Sequence, residues 1–222
     1  MPRDAATAGR PGDLRSPGDL RSTGSPGSLP GRGRPPSDRT ERAILQATTE
    51  LLAERGLTGL TMEEVAARAH VSKASVYRRW PSKGRLAFDA FMGAFLARQP
   101  LPDTGSLRAD LAAALRGWVD TVREPATGRT LKGLIAEVQR DPELAPPWRE
   151  RFTLPVRSQH LTILERAIAR GELAPDADTD LLLDLLYGPA YHRLLHGHLP
   201  LDDRFVNGLV AAIMAAVEAR AI

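Results

Sequence analysis

Residues 60–86 read LTMEEVAARAHVSKASVYRRWPSKGRL, and the way this stretch must divide decides the fold. Thr61 followed three residues later by Glu64 is a capping box, in which a hydroxyl and a carboxylate satisfy the free N–H groups of a helix start. Val65, Ala66 and Ala69 supply that helix with an inner face. Ser72 is a second N-cap, and the helix it opens is stopped by Pro81, which lacks an N–H and clashes with the preceding turn. Ser82 caps a further helix carrying Leu86, Phe88, Phe91 and Phe95, ended by Pro100 and Pro102. Two short helices joined by a tight turn within 61–80 have the size of a helix-turn-helix.

The turn is Ala69-His70-Val71-Ser72, where glycine is frequent in such motifs. Histidine is among the residues that tolerate positive φ, so His70 is expected in the left-handed position. Val71, Val76 and Trp80 anchor the second helix against Leu51, Leu60 and Val65, which leaves Lys73, Ala74, Ser75, Tyr77, Arg78 and Arg79 outside. Such a face suits a major groove. Lys and Ser hydrogen-bond base edges, Ala74 permits close approach or touches a thymine methyl, and Tyr and Arg bind phosphates. Lys83 lies at a helix N-terminus, where backbone N–H groups also favour a phosphate.

On the N-terminal side, Ser37 or Asp38 can cap a helix whose Ile44, Ala47, Leu51 and Leu52 recur at 3.6-residue spacing, with Gly56 as its C-cap. Residues 1–37 are Pro/Gly/Ser/Arg-rich and repeat Pro-Gly-Asp-Leu-Arg-Ser at 11–16 and 17–22, a composition expected to stay disordered. On the C-terminal side, segments near 106–123, 129–140, 147–170, 179–197 and 202–219 carry apolar helical periodicity, and none alternates with the period of a strand. An all-α chain is expected, with an arm over 1–37, a three-helix helix-turn-helix domain with its linking helix over 38–98, and a helical regulatory and dimerisation domain over 99–222.

Charge follows the same division. Residues 32–98 carry twelve Lys and Arg against seven Asp and Glu, whereas residues 99–222 carry fourteen against seventeen. A basic first half joined to an acidic second half points to a polyanion meeting the first. Cysteine is absent, which excludes disulfides and thiolate metal sites and fits a reducing cytoplasm. No run of 18 apolar residues suggests a membrane span, and the Pro/Gly-rich start lacks the apolar segment of a secretory signal.

The ordered pattern from Leu60 to Leu86, with the preceding helix of Ile44, Leu51, Leu52 and Gly56, strongly resembles the DNA-binding domain of the TetR/AcrR family over about residues 39–96. The resemblance implies that Lys73, Ala74 and Ser75 face bases, and that Thr61, Tyr77, Arg79 and Lys83 hold phosphates. His70 stands where the family usually has Gly. Trp80 stands where Phe is common, a difference read as one of packing volume. Leu134-Ile135-Ala136-Glu137, Asp141-Pro142-Glu143-Leu144 and Asp184 through Leu195 resemble one subset of the family's regulatory domains more weakly. The resemblance further implies a homodimer, its last two long helices pairing with their copies as a four-helix bundle, and an unidentified small-molecule effector. Leu181, Leu182, Leu185, Leu186, Leu209, Ile213, Met214 and Val217 offer apolar surface for that pairing.

Sharper readings stand beside plainer ones. Gly31-Arg32-Gly33-Arg34-Pro35 resembles an AT-hook core, so Arg32 and Arg34 are expected to reach a minor groove or phosphates; the plainer alternative is a basic leader without fixed contacts. His192, His196 and His198 invite a metal, but without Cys or a metalloprotease Glu they are read as helix-end or interface residues, and no metal or cofactor is expected. Trp118, Leu134, Val138, Trp148, Phe152, Leu161 and Tyr187 are candidates to line an effector cavity, or else simply fill the core. His160 and Gln159 are read as facing solvent or a partner subunit more readily than a ligand. No nucleophile elbow, phosphate loop or paired acid–base set emerges, so an enzyme is not expected. The sequence reads as a sequence-specific regulator binding double-stranded operator DNA, with a repressor released by a ligand first. An architectural DNA binder comes second, and a ligand-binding protein whose DNA function has decayed third.

Overall fold

The computed structural model describes residues 36–220 and 222, and among them every regular element is a helix. The described residues belong to one compact unit. Helix α1 spans Pro36–Arg55, so it starts ahead of the caps expected at Ser37 or Asp38, and Asp38 sits in its first turn. Ile44, Ala47, Leu51 and Leu52 are its buried face. Its C-terminus closes as expected: the Gly56 N–H donates to Leu52 O at 2.9 Å, with Gly56 at φ +67°.

Helices α2 (Met62–Arg68), α3 (Lys73–Tyr77) and α4 (Lys83–Leu96) follow, each opened by a side-chain cap. The hydroxyls of Thr61, Ser72 and Ser82 accept the N–H groups of Glu64, Ser75 and Arg85, all at 3.2 Å. α3 ends at Tyr77, short of Pro81, and the chain leaves through turns that bury Trp80. α4 ends at Leu96, ahead of the two prolines, and runs from the helix-turn-helix into the remaining helices with Leu86, Phe88, Phe91 and Phe95 buried. Close approach at its start needs Gly84, where a Cβ would lie 2.8 Å from Leu144 Cδ1.

The C-terminal helices are α5 (Leu107–Arg123), α6 (Pro125–Arg140), α7 (Ala145–Trp148), α8 (Leu154–Arg170), α9 (Thr179–His196) and α10 (Asp203–Glu218). α6 begins before the expected residue 129, because Pro125 pre-sets its first turn while that turn has little apolar periodicity to signal it. The segment read as one helix over 147–170 is divided by a π-helical turn, Arg149–Thr153. There the Leu154 N–H donates to Arg149 O, and Pro155 has no N–H with which to continue a regular ladder. α9 tolerates Pro189 in its interior and closes on Gly197 at φ +63°.

Of the eight residues expected to pair subunits, Leu182, Leu186, Ile213 and Met214 are buried within the chain itself, and Leu209 and Val217 are half-buried. Leu181 and Leu185 are exposed. They continue along α9 through Gly188 and His192 to Leu195, all on the surface at alternating spacings of four and three residues. On α10 the exposed positions include Gly208, Ala211, Ala212 and Ala215.

Candidate nucleic-acid interface and ligand cavity

Local chemistry holds α2 and α3 in their relation. His70 takes φ +54°, which lets the Val71 N–H turn back to Ala66 O at 3.0 Å and satisfy the end of α2. Val76 and Trp80 are buried against the inner faces of α1 and α2. Outside the turn, Glu54 and Arg68 form a two-pronged ion pair (2.6 and 3.0 Å) that ties α1 to α2 and holds the Glu54 carboxyl below its ordinary range. The Glu64 carboxylate accepts the Thr61 hydroxyl at 2.9 Å and pairs with Arg55.

With that frame fixed, Lys73, Ala74, Tyr77 and Arg78 are exposed, and Ser75, Arg79 and Lys83 are half-buried. Lys73 Nζ lies 3.3 Å from Glu63 across the turn, an exposed pair that a phosphate or base edge can replace at small cost. Ser75 shares a hydroxyl–hydroxyl contact of 2.9 Å with Ser72. Lys83 Nζ donates to Leu57 O at 3.4 Å, which places its ammonium at the start of α4 beside the α1–α2 loop. Thr61 is exposed at the start of α2. Arg32 and Arg34 lie outside the described residues.

A second feature sits where α4 meets the C-terminal helices. Phe88 packs on Trp148, Phe95 on Phe152, and Trp148 on Phe152, with ring centroids 5.8, 5.6 and 4.6 Å apart. Beside this cluster is a cavity of about 430 Å³ lined by Phe95, Trp118, Trp148, Phe152, Tyr187 and Tyr191, with Ile135, Val156, Arg157 and Asp184 also on its wall. Of the expected lining, Trp118, Trp148, Phe152 and Tyr187 stand there. Leu134 is instead buried in the core, Val138 is half-buried on α6, and Leu161 packs against the core elsewhere on α8. Sequence reasoning missed Phe95, Ile135, Tyr191, Arg157 and Asp184, because helical periodicity shows which side chains go inward but not which inward ones fail to meet.

The electrostatics of the cavity are those of a neutral site. Arg157 reaches Asp184 at 2.6 Å and Asp180 at 2.7 Å, so its charge is answered from α9. Burial raises the Tyr187 phenol and pushes Tyr191 up to about 12, so both stay protonated near neutrality. His160 is buried rather than facing solvent or a partner. Desolvation lowers its pKa, outweighing the hydrogen bond of Nδ1 to Val156 O at 2.8 Å.

Trp80 does more than fill space. Its indole N–H donates to Asp89 Oδ2 at 2.8 Å, and Arg151 of the π-turn donates to Asp89 Oδ1 at 2.7 Å. One carboxylate on α4 thus joins the turns after α3 to the π-turn that carries Phe152. At the far end of α9, the rings of His192, His196 and His198 lie 4.5 to 6.4 Å apart, and no group able to hold a metal occurs among the described residues.

Comparison with known families places this arrangement. Residues 44–90 match the model of bacterial regulatory proteins of the tetR family, and residues 101–213 match the tetracyclin repressor-like C-terminal domain. The chain belongs to the TetR family. This TetR-family chain is 39% identical over 191 residues to the HTH-type transcriptional regulator YdeS of Bacillus subtilis, covering 85% of the chain and 94% of YdeS. It is 34% identical over 175 residues to the DNA-binding transcriptional repressor TetR of Mycobacteroides abscessus, covering 78% of the chain and 90% of that protein. The crystal structure of the TetR family transcription regulator SCO0332 superposes with a TM-score of 0.71 at 38% identity, over 81% of this chain and 98% of SCO0332. The TetR-family chain is therefore a DNA-binding transcriptional regulator, in a family of regulators rather than enzymes. Among the described residues, no helix is long and apolar enough to cross a membrane.

Proposed function

We propose that the protein is a homodimeric, cytoplasmic repressor that leaves its operator when a small molecule occupies the cavity beside α4. The single observation that carries the ligand response is shared structure: Phe95 lines the cavity and lies on α4, whose first residue is Lys83 at the edge of the helix-turn-helix. A molecule that moves Phe95 acts on a helix directly joined to the DNA-reading segment. The Arg151–Asp89–Trp80 contacts supply a second route, from the π-turn that carries Phe152 to the turns that follow α3. The ligand shifts the equilibrium only by its differential affinity for the two arrangements of α4.

Within this reading, residues 38–98 read DNA and residues 99–222 bind the effector and pair the subunits. Lys73, Ala74 and Ser75 meet base edges, while Thr61, Tyr77, Arg78, Arg79 and Lys83 meet phosphates; Arg32 and Arg34 extend the contact into the adjoining minor groove. Pairing uses the exposed Leu181–Leu195 stripe of α9 against the small residues of α10, and a two-fold pair of short recognition helices gives a site long enough to be specific. Repression is carried over from the similar Mycobacteroides abscessus protein, a DNA-binding transcriptional repressor. The test is fluorescence anisotropy with DNA from the gene's own upstream region against a shuffled control at several salt concentrations, then again with small-molecule extracts. Tight binding to the native fragment and release by an extract are expected. Equal, strongly salt-dependent binding to both DNAs, unmoved by any extract, would favour an architectural binder.

A further inference from the structure

The cavity bears a chemical signature narrower than its size. Six aromatic side chains line it, and flat rings meet such walls edge-to-face or offset, with gains beyond the area they cover. At Tyr187 on that wall and at His160 behind it, two buried polar atoms have no hydrogen-bond partner among the described residues: the Tyr187 hydroxyl and His160 Nε2. Their rings are neighbours, with centroids 5.2 Å apart and an edge-to-face angle of 65°. Folded proteins rarely leave such atoms unmatched, and each instance asks for an occupant or a role. The tautomer is set by geometry. Nδ1 donates its proton to Val156 O, so Nε2 is left as an acceptor, while the Tyr187 hydroxyl can donate.

Charge narrows the class again. Arg157 and Asp184 are the charged side chains on the wall, and Arg157 is already matched by Asp184 and Asp180. A carboxylate entering this space would lose its water without gaining a free cation, which is heavily unfavourable.

We propose that this cavity takes an uncharged, planar aromatic molecule carrying a hydroxyl, which accepts from the Tyr187 hydroxyl on its wall, with His160 packed behind that ring. The proposal rests on the reading of the cavity as the effector site and names the chemistry of what it holds.

The test uses three bicyclic probes of one shape: 2-naphthol, naphthalene and 2-naphthoate. Binding to the full-length protein is followed by quenching of tryptophan fluorescence, since Trp118 and Trp148 are in the wall, and by calorimetry. At pH 7.5 the expected order is 2-naphthol about tenfold tighter than naphthalene, with 2-naphthoate weakest. Tyr187→Phe should erase most of the preference for 2-naphthol while naphthalene still binds, which also certifies that the variant is folded. A preference for 2-naphthoate, an equal response to 2-naphthol and naphthalene, or a preference that survives Tyr187→Phe overturns the proposal. Release of operator DNA is measured in parallel. If no probe binds yet an extract releases DNA, the chemical class falls and the ligand switch stands. If 2-naphthol binds as expected without moving DNA affinity, the class stands and the switch falls.

Discussion

The DNA-reading segment and the cavity are built on opposite terms. From Thr61 to Ser82 the polar start of each helix is met by a side chain three residues away, and the hydrophobic anchors fall within one short stretch of sequence. Around the cavity, the walls come from α4, α5, α6, α7, the π-turn, α8 and α9, and two buried polar atoms are left unmatched among the described residues. Full satisfaction fixes one geometry, as a surface that must fit a rigid duplex requires. Incomplete satisfaction leaves a preference that an incoming molecule can complete.

Breaking the well-satisfied region should have the largest effect. Trp80→Ala removes a buried indole and strips Asp89 of one of its two donors, and a loss of about 3–5 kcal/mol in unfolding free energy is expected from urea or thermal denaturation. Trp80→Phe keeps most of the volume but not the hydrogen bond, so it should cost clearly less. If the two variants were equally damaging, the indole N–H rather than the packing would dominate.

Lys73→Ala comes next and tests reading rather than folding. Its partner Glu63 is exposed, so stability should barely change, whereas base preference at the contacted pair should relax by about 1–3 kcal/mol. Anisotropy against a panel of single-base operator variants measures this. Equal losses on all sequences would reassign Lys73 to a phosphate.

The contrast between the regions also explains what the sequence could disclose. Capping at Thr61, Ser72 and Ser82, the left-handed His70 and the Gly56 helix end are local, so spacing alone located them. The π-turn was hidden because Pro147 and Pro155 interrupt a segment whose apolar periodicity runs on regardless. Tyr191 and Arg157 escaped notice because a cavity is a failure of distant helices to touch, and nothing within one helix encodes that. The bond from Trp80 to Asp89 was missed for a related reason: nine residues apart, the two belong to different elements separated by a proline.

His160 gives the cavity its own pH signature. Burial lowers its folded pKa below the ordinary value of 6.5, so on acidification the unfolded chain binds a proton before the native one does. Its contribution to stability is therefore fully present above 6.5 and declines as pH falls below it, by at most about 1.4 kcal/mol per pH unit while the folded imidazole stays neutral. His160→Gln should remove that part of the decline between pH 6.5 and 5 in denaturation midpoints. An unchanged slope would mean that the imidazole takes its proton without leaving the native fold.

The smallest expected effect returns to the surface that meets DNA. Tyr77 is exposed and Lys83 holds only a 3.4 Å bond to Leu57 O, so neither Tyr77→Ala nor Lys83→Ala should change folding much. Their signatures differ in kind. Neutralising a phosphate with an ammonium releases condensed counterions, so Lys83→Ala should lower the slope of log affinity against log salt by about 0.9, on operator and shuffled DNA alike. A hydrogen bond from the Tyr77 phenol to a phosphate replaces no counterion, so its loss predicts uniformly weaker binding with a nearly unchanged slope. A flattened slope for Tyr77→Ala would show that the tyrosine positions a neighbouring cation, with Arg78 and Arg79 beside it in the sequence. Tyr77→Phe, which retains the ring, would then restore the slope and leave the phosphate hydrogen bond as the only loss.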